Sequence, residues 1–305
     1  MGNERSQSPR QIVLALDGSE HSQAGIQFIA DLPLPSGSQL TAVTVYSAGG
    51  PAVSIALQAS FRQRARTIFE GRQLEVDTQV LEGHPAEALI AFADRQKPDL
   101  LVMGAKGLRA TLGILLGGIA QQVVEYAHLP VLVVRAPYHG LHRILFVNDG
   151  SVHSQQAEVF LGDFPLPETV DLRVLNILPP PPSQDLLAQA WPLGPEMQVP
   201  MPPNLLKENR EWLEEEEKQS HALVEHSVKN LRAHGLKLVK GEVRRGDAAT
   251  VVLEYAREHS IDLIVAGSRG LSRIQSWLLG SVSRKLVHYA DCSVLIIKSP
   301  DANSA

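Results

Sequence analysis

Two stretches of this 305-residue chain space their glycines in a way that could hold an anion. Residues 267–281 read GSRGLSRIQSWLLGS and residues 104–118 read GAKGLRATLGILLGG. Gly267, Gly270 and Gly280 recur as Gly104, Gly107 and Gly117, and a cation, Arg269 or Lys106, sits between the first two glycines of each stretch. Glycines remove Cβ atoms from a turn and allow positive φ, so main-chain amides can close on a bulky anion. If the last glycine opens a helix, the first N–H groups and the positive dipole end strengthen that grip. Ser281 and Ser283 could add hydroxyl donors, whereas the earlier copy has Gly118 and Ala120. The chemistry suggested is phosphate cradling, done mostly by backbone. The structural alternative is that these glycines only permit tight turns and close packing of helix on sheet.

The glycine stretch is part of a larger repeat. IVLALDGSEHSQ at 12–23 returns as ILFVNDGSVHSQ at 144–155, an offset of 132 that also carries PLP from 33–35 to 165–167. Later landmarks are 163 apart: Gly83 with Gly246, Gly104 with Gly267, and PVLVVR at 130–135 with SVLIIK at 293–298. The second copy therefore holds 31 additional residues, between Ile177 and Gly246. That window contains 178–204, with nine of the chain's twenty prolines. Such a segment suits neither a regular helix nor a central strand and reads as an extended or polyproline loop. The repeats meet near APYHGL at 137–142, giving two expected domains, 1–138 and 139–305.

Short runs rich in Val, Leu and Ile mark strands at 11–16, 39–46, 74–81, 99–103 and 130–135. Helical patterns lie between them at 19–31, about 54–71, 85–97 and about 117–127. Strands alternating with helices predict a doubly wound α/β fold, with a parallel sheet covered on both faces. In such sheets the ligand crevice lies beyond the carboxyl ends of the strands, where strand order reverses. Asp17-Gly18-Ser19 and Asp149-Gly150-Ser151 follow the first strand of each repeat, and the glycine stretches follow the fourth.

The remaining features narrow the reading. An apolar fraction of 44% with 20% charged residues suits a folded globular protein, and a net charge of -5 offers no basic field for nucleic acid. The polar start MGNERSQSPRQ and the shortness of the longest apolar run, Thr111 to Ala120, predict neither export nor membrane insertion, hence a cytoplasmic protein. The lone Cys292 reads as a buried, inert thiol. His21 and His153 follow the aspartates by four residues and tempt a general-base assignment, but the first turn of a helix favours polar surface or capping roles. No G-x4-G-K-[S/T] loop and no metal-ligand spacing is present, and no catalytic group is assigned. The run EWLEEEEKQSHALVEHSVKNL at 211–231 reads as a solvated helix with Leu213, Leu223, Val224 and Val228 on its apolar side. The insertion, with Trp191, Met197 and Met201, is a lid, a partner-docking loop or a surface excursion.

Together these residues resemble the universal stress protein family. Its nucleotide-binding members carry G-x2-G-x9-G-[S/T] after the fourth strand, an aspartate ending the first, and apolar main-chain contacts from the second. The resemblance covers nearly the whole chain as two tandem domains, apart from the proline-rich insertion about 178–204. It implies Rossmann-like five-stranded domains, ATP as the cofactor with or without Mg, and a signalling or protective role in stress response with at most slow hydrolysis. By position, Val147, Asp149 and Ile177 would meet the adenosine end, and Gly267, Arg269, Gly270, Gly280, Ser281, Val282 and Ser283 the phosphates. Ala15, Asp17, Val45, Gly104, Gly107 and Gly117 are their counterparts in the first repeat, followed by Gly118 and Ala120. Each missing hydroxyl would cost about 1–3 kcal/mol, or about tenfold or more in affinity, so the second repeat is expected to be the tighter site. The family also pairs domains through the final strand, so VLVVR and VLIIK would join as antiparallel edges and make one chain a pseudo-dimer, with pairing of whole chains left open. Two alternatives stand beside this: a nucleotide-free interaction scaffold working through the insertion, and an adenine-nucleotide hydrolase or transferase of the same fold.

Overall fold

The structure, a computed structural model, describes residues 8–46, 63, 67, 69, 74–107, 115–181, 203–271 and 279–298, with 203–206 as backbone only. In the first repeat the elements are β1 (Gln11–Ala15), α1 (Glu20–Asp31), β2 (Ser38–Tyr46), β3 (Leu74–Glu82), α2 (Pro85–Gln96), β4 (Leu100–Gly104), α3 (Gly118–Tyr126) and β5 (Val131–Val134). The second holds β6 (Arg143–Val147), α4 (Val152–Asp163), β7 (Asp171–Leu178), α5 (Pro203–Ala233), β8 (Leu238–Arg245), α6 (Ala248–Glu258), β9 (Leu263–Gly267), α7 (Ser281–Tyr289) and β10 (Ser293–Ile297). The five strands expected for the first repeat all form, within a residue or so at each end. The helix expected at about 54–71 falls almost wholly outside the described residues, as do Trp191, Met197 and Met201 of the insertion. Helix α5 starts at Pro203, inside the segment read as loop; proline at a first helical position forfeits no intrahelical bond.

All ten strands join one sheet in the order β3-β2-β1-β4-β5-β10-β9-β6-β7-β8. Every pairing is parallel except β5 with β10, which run antiparallel with Leu132 opposite Leu295. The two halves are thus mirror-ordered about that seam, the expected pseudo-dimer. Because side chains alternate across a strand, one face carries Ile12, Leu14, Leu100, Val102, Phe146 and Leu295, packed with Phe28 and Ile29 of α1 and Leu161 of α4. The opposite face carries Val13, Leu101, Met103, Ile264 and Val294, packed with Leu89 and Phe92 of α2 and Leu286 of α7. Each cluster runs through both repeats, so the seam is continuous core rather than a joint between separate cores.

Cations finish the seam reciprocally. The buried Arg135 guanidinium donates to the carbonyls of Leu115 (2.5 Å), Val287 (2.9 Å) and His288 (3.3 Å), the last two at the C-terminal end of α7. Its counterpart Lys298 donates to the Glu125 carbonyl near the end of α3 at 2.9 Å. Positive charge at a helix C-terminus meets the negative dipole end. Arg284 closes the contact with Glu125 at 3.0 Å. Cys292 lies beside this seam, partly buried against the apolar cluster, and burial pushes its thiol up to about 12.

Candidate functional site

In each half the strand order reverses between two central neighbours: β1 and β4 in the first, β6 and β9 in the second. Helix α1 leaves β1 to pack on one face, while α3, which follows β4, packs on the other. Oppositely directed connections open a crevice at the shared strand ends, where the aspartate loop and the glycine stretch both emerge.

The aspartate loop builds itself from three local rules. Gly150 has φ +78° and Gly18 φ +83°, a left-handed turn that glycine adopts without penalty. Ser151 and Ser19 then cap α4 and α1, their hydroxyls accepting the N–H of Ser154 (3.2 Å) and Ser22 (3.1 Å). The aspartate holds the turn: Asp149 Oδ1 accepts the Ser151 N–H at 3.0 Å, as Asp17 Oδ1 accepts that of Ser19. The DGS motif is therefore strand stop, positive-φ hinge and helix cap.

The glycines of these stretches are closely approached by the chain itself. None of Gly104, Gly107, Gly117, Gly267, Gly270 or Gly280 adopts positive φ. A Cβ on Gly267 would stand 2.7 Å from the backbone carbon of His153, and one on Gly104 would stand 2.8 Å from the His21 Cβ. These glycines let the first turn of α4 or α1 press onto the strand exit. A Cβ on Gly270 would meet Asp149 Oδ2 at 2.5 Å, and one on Gly107 would meet Asp17 Oδ2 at 2.7 Å. The second glycine of each stretch thus makes room for the aspartate. Gly280 N–H bonds to the Ser268 carbonyl and Gly117 N–H to the Ala105 carbonyl, both at 2.8 Å, closing the loop base. Residues 108–114 and 272–278 lie outside the described residues.

What remains open is the start of the following helix. Among the described residues α1, α4 and α6 are capped by the side chains of Ser19, Ser151 and Asp247, whereas α2, after His84, and α3 and α7, after Gly117 and Gly280, have no side-chain cap. Gly118 faces open space, and its counterpart Ser281 is exposed. Ser283, expected to donate toward a phosphate, instead donates to the Gly267 carbonyl at 2.8 Å and is 5% exposed. A hydroxyl has one proton to give, so this one is spent within the fold, and Ala120 loses a turn-closing bond rather than a ligand contact. The solvent-exposed difference between the two helix starts is Ser281 against Gly118.

The remaining assigned residues gather around the same crevice. Val147 ends β6 beside Ala266, and Ile177 lies in β7; both are half-buried against the core, as are Ala15 and Val45 in the first half. Val282 packs against the same apolar cluster, so only its main chain could serve a ligand. Arg269 and Lys106 are half-buried, and the Arg269 carbonyl lies 3.4 Å from Ser151 Oγ. His21 Nδ1 accepts the Ala136 N–H at 2.9 Å, tying α1 to the end of β5. Burial, with the Lys106 charge adding to it, holds this imidazole below its usual range. A cavity of about 250 Å³ lies elsewhere, on the seam between α3 and α7, lined by Leu116, Val124, Leu279, Arg284 and Val287 among others. No group of three or more His, Cys, Asp or Glu side chains suited to a metal ion occurs among the described residues, and no helix among them is long and apolar enough to cross a membrane.

Sequence reasoning missed Asn148 and Arg135. Asn148 was visible as a polar residue in place of Leu16 just before the shared Asp-Gly-Ser; Arg135 gave no signal beyond ending a strand.

Comparison with known proteins gives a consistent result. The model of the Universal stress protein family matches residues 9–135 and again 140–298. A universal stress protein of Mycolicibacterium smegmatis is 25% identical across 94% of this chain and 96% of its own length. A Thermus aquaticus universal stress protein is 34% identical across 41% of this chain and 97% of itself. Among solved structures, a universal stress protein from Archaeoglobus fulgidus superposes with a TM-score of 0.60 over 97% of this chain and 98% of its own, at 15% identity, a likeness of fold.

Proposed function

The chain belongs to the universal stress protein family, as two tandem matching segments, and on that premise we propose that it binds ATP, with the second repeat as the tighter site. The domains are 1–138 and 139–305, and the protein acts as a cytoplasmic stress-response module, at most a slow hydrolase. One observation carries the reading. At each switch point an aspartate loop braced against a glycine meets a helix start that no side chain caps, and only at α7 does the first helical residue bring a hydroxyl. Main-chain amides there suit an anion, and they complement the polyphosphate of a nucleotide. Val147 and Ile177, half-buried at the exits of β6 and β7, offer the apolar end of the crevice to the adenosine.

The chain's residues then divide the work. Gly280 sets the helix start, Ser281 adds a donor, Arg269 brings a cation, and Asp149 keeps the loop that faces them in position. The test is mass spectrometry of ligand released from the purified full-length chain, followed by ATP titration of Gly280→Val and Gly117→Val variants. The reading expects adenine nucleotide and a much larger loss from Gly280→Val. It fails if no adenine nucleotide is found and none binds on titration, or if Gly117→Val loses more.

A further inference from the structure

Behind the aspartate loop of the second repeat lies a polar cluster, two members of which, Asn148 and Glu158, the first repeat replaces with apolar residues. Asn148 is 1% exposed and stands where the first repeat has Leu16. Its Oδ1 accepts the Gly150 N–H at 2.9 Å and the Ser154 hydroxyl at 2.8 Å, so it holds both sides of the Asp149 turn. Its Nδ2 donates to Ser227 Oγ at 2.7 Å and reaches Glu158 Oε2 at 3.4 Å. Ser227, in the middle of α5 and 0% exposed, donates in turn to Glu158, whose other oxygen accepts Asn230 Nδ2 at 2.8 Å. A parallel link runs from Ser220 of α5 to Asn176 Oδ1, and from Asn176 Nδ2 to the Asn148 carbonyl at 2.6 Å. Leu223 of α5 completes the contact, lying 3.4 Å from where a Gly150 Cβ would be. In the first repeat the positions of Asn148 and Glu158 are Leu16 and Ile26, both within the apolar core.

An apolar pair packs this position adequately, as the first repeat demonstrates. Burying two amides and three serines beside a half-buried carboxylate is costly unless every group is satisfied, and a satisfied network is geometrically demanding. Its distinctive product is directional: it fixes α5 relative to the turn that carries Asp149, and Asp149 in turn abuts Gly270 of the glycine stretch. We infer that Asn148 is a positioning residue for the second site, and that through Ser227 and Ser220 it couples α5, the helix leading out of the proline-rich insertion, to ligand occupancy there. The inference rests on the nucleotide reading of that site. Coupling of this kind is reciprocal: whatever shifts α5 changes the site, and occupancy of the site changes α5.

The experiment uses the full-length chain, with ATP as the probe. Wild type, Ser227→Ala and the double variant Asn148→Leu, Glu158→Ile are compared by ATP titration and by hydrogen–deuterium exchange of α5 with and without ATP. Ser227→Ala touches no residue of the site, and the double variant installs the side chains that the first repeat already accommodates. In wild type, ATP should slow exchange across residues 213–231 by roughly threefold or more, and each variant should weaken ATP binding about fivefold and abolish that response, as a lost coupling of about 1 kcal/mol would give. The inference is overturned if ATP leaves α5 exchange unchanged in wild type, or if both variants bind within twofold of wild type. If wild type binds no ATP, the nucleotide reading fails separately, and the positioning claim is decided without ligand. Ser227→Ala should then speed exchange of the Gly150 and Ser151 amides, and unchanged exchange there would overturn it.

Discussion

The two switch points of the sheet share an architecture and differ in what they present. In both, a positive-φ glycine, a serine cap and a strand-exit glycine seat the first helix, and an aspartate oxygen fills the space that a second glycine vacates. Around that common frame the second half carries polar groups where the first does not: Ser281 against Gly118, Ser283 against Ala120, Asn148 against Leu16 and Glu158 against Ile26. Three of these, Asn148, Glu158 and Ser283, bond within the fold, and Ser281 alone among the four is exposed at the helix start. The two copies share the scaffold and differ in the polar groups set on it.

If the frame is common, breaking it should hurt both halves alike. Gly104→Val and Gly267→Val force a Cβ into the first turn of α1 and of α4 respectively, and each should cost about 3 kcal/mol or more in urea unfolding. A large inequality between them would mean that the frames are not equivalent. The seam should be less even. Arg135→Met strands carbonyls of Leu115, Val287 and His288 and should cost about 3 kcal/mol, whereas Lys298→Met releases one partly exposed carbonyl contact, about 1 kcal/mol. Equal losses would deny the asymmetry between the two reciprocal caps. A smaller effect belongs to the first half. His21 has a folded pKa below its ordinary 6.5, so the unfolded chain binds more protons in the window between the two. Stability should therefore fall as pH drops below about 6.5, and His21→Gln should flatten that part of the profile.

Much of this was readable in the chain. The 132- and 163-residue offsets revealed the duplication, and period and composition located the first repeat's strands to within about a residue. The antiparallel junction of VLVVR with VLIIK followed from family resemblance and is the observed seam. Glycine spacing marked where chain presses on chain but not what it clears, because a missing Cβ looks the same whether it makes room for a ligand, a helix turn or a carboxylate. Ser283 misled for a similar cause: a hydroxyl at a helix start points outward or back to the strand exit depending on its position in the turn. Ser220 and Ser227 were invisible within a run read as a solvated helix, since small polar residues carry no apolar period to betray a buried face.

The measurement that tests the central claim most directly is calorimetric titration of ATP into the full-length chain carrying Ser281→Gly, Gly118→Ser, or both. With Ser281 as the ligand-facing difference, Ser281→Gly should weaken the tight site about tenfold, Gly118→Ser should strengthen the weak one, and the double variant should bring the two sites together or invert them. A tight site unmoved by Ser281→Gly would contradict the account.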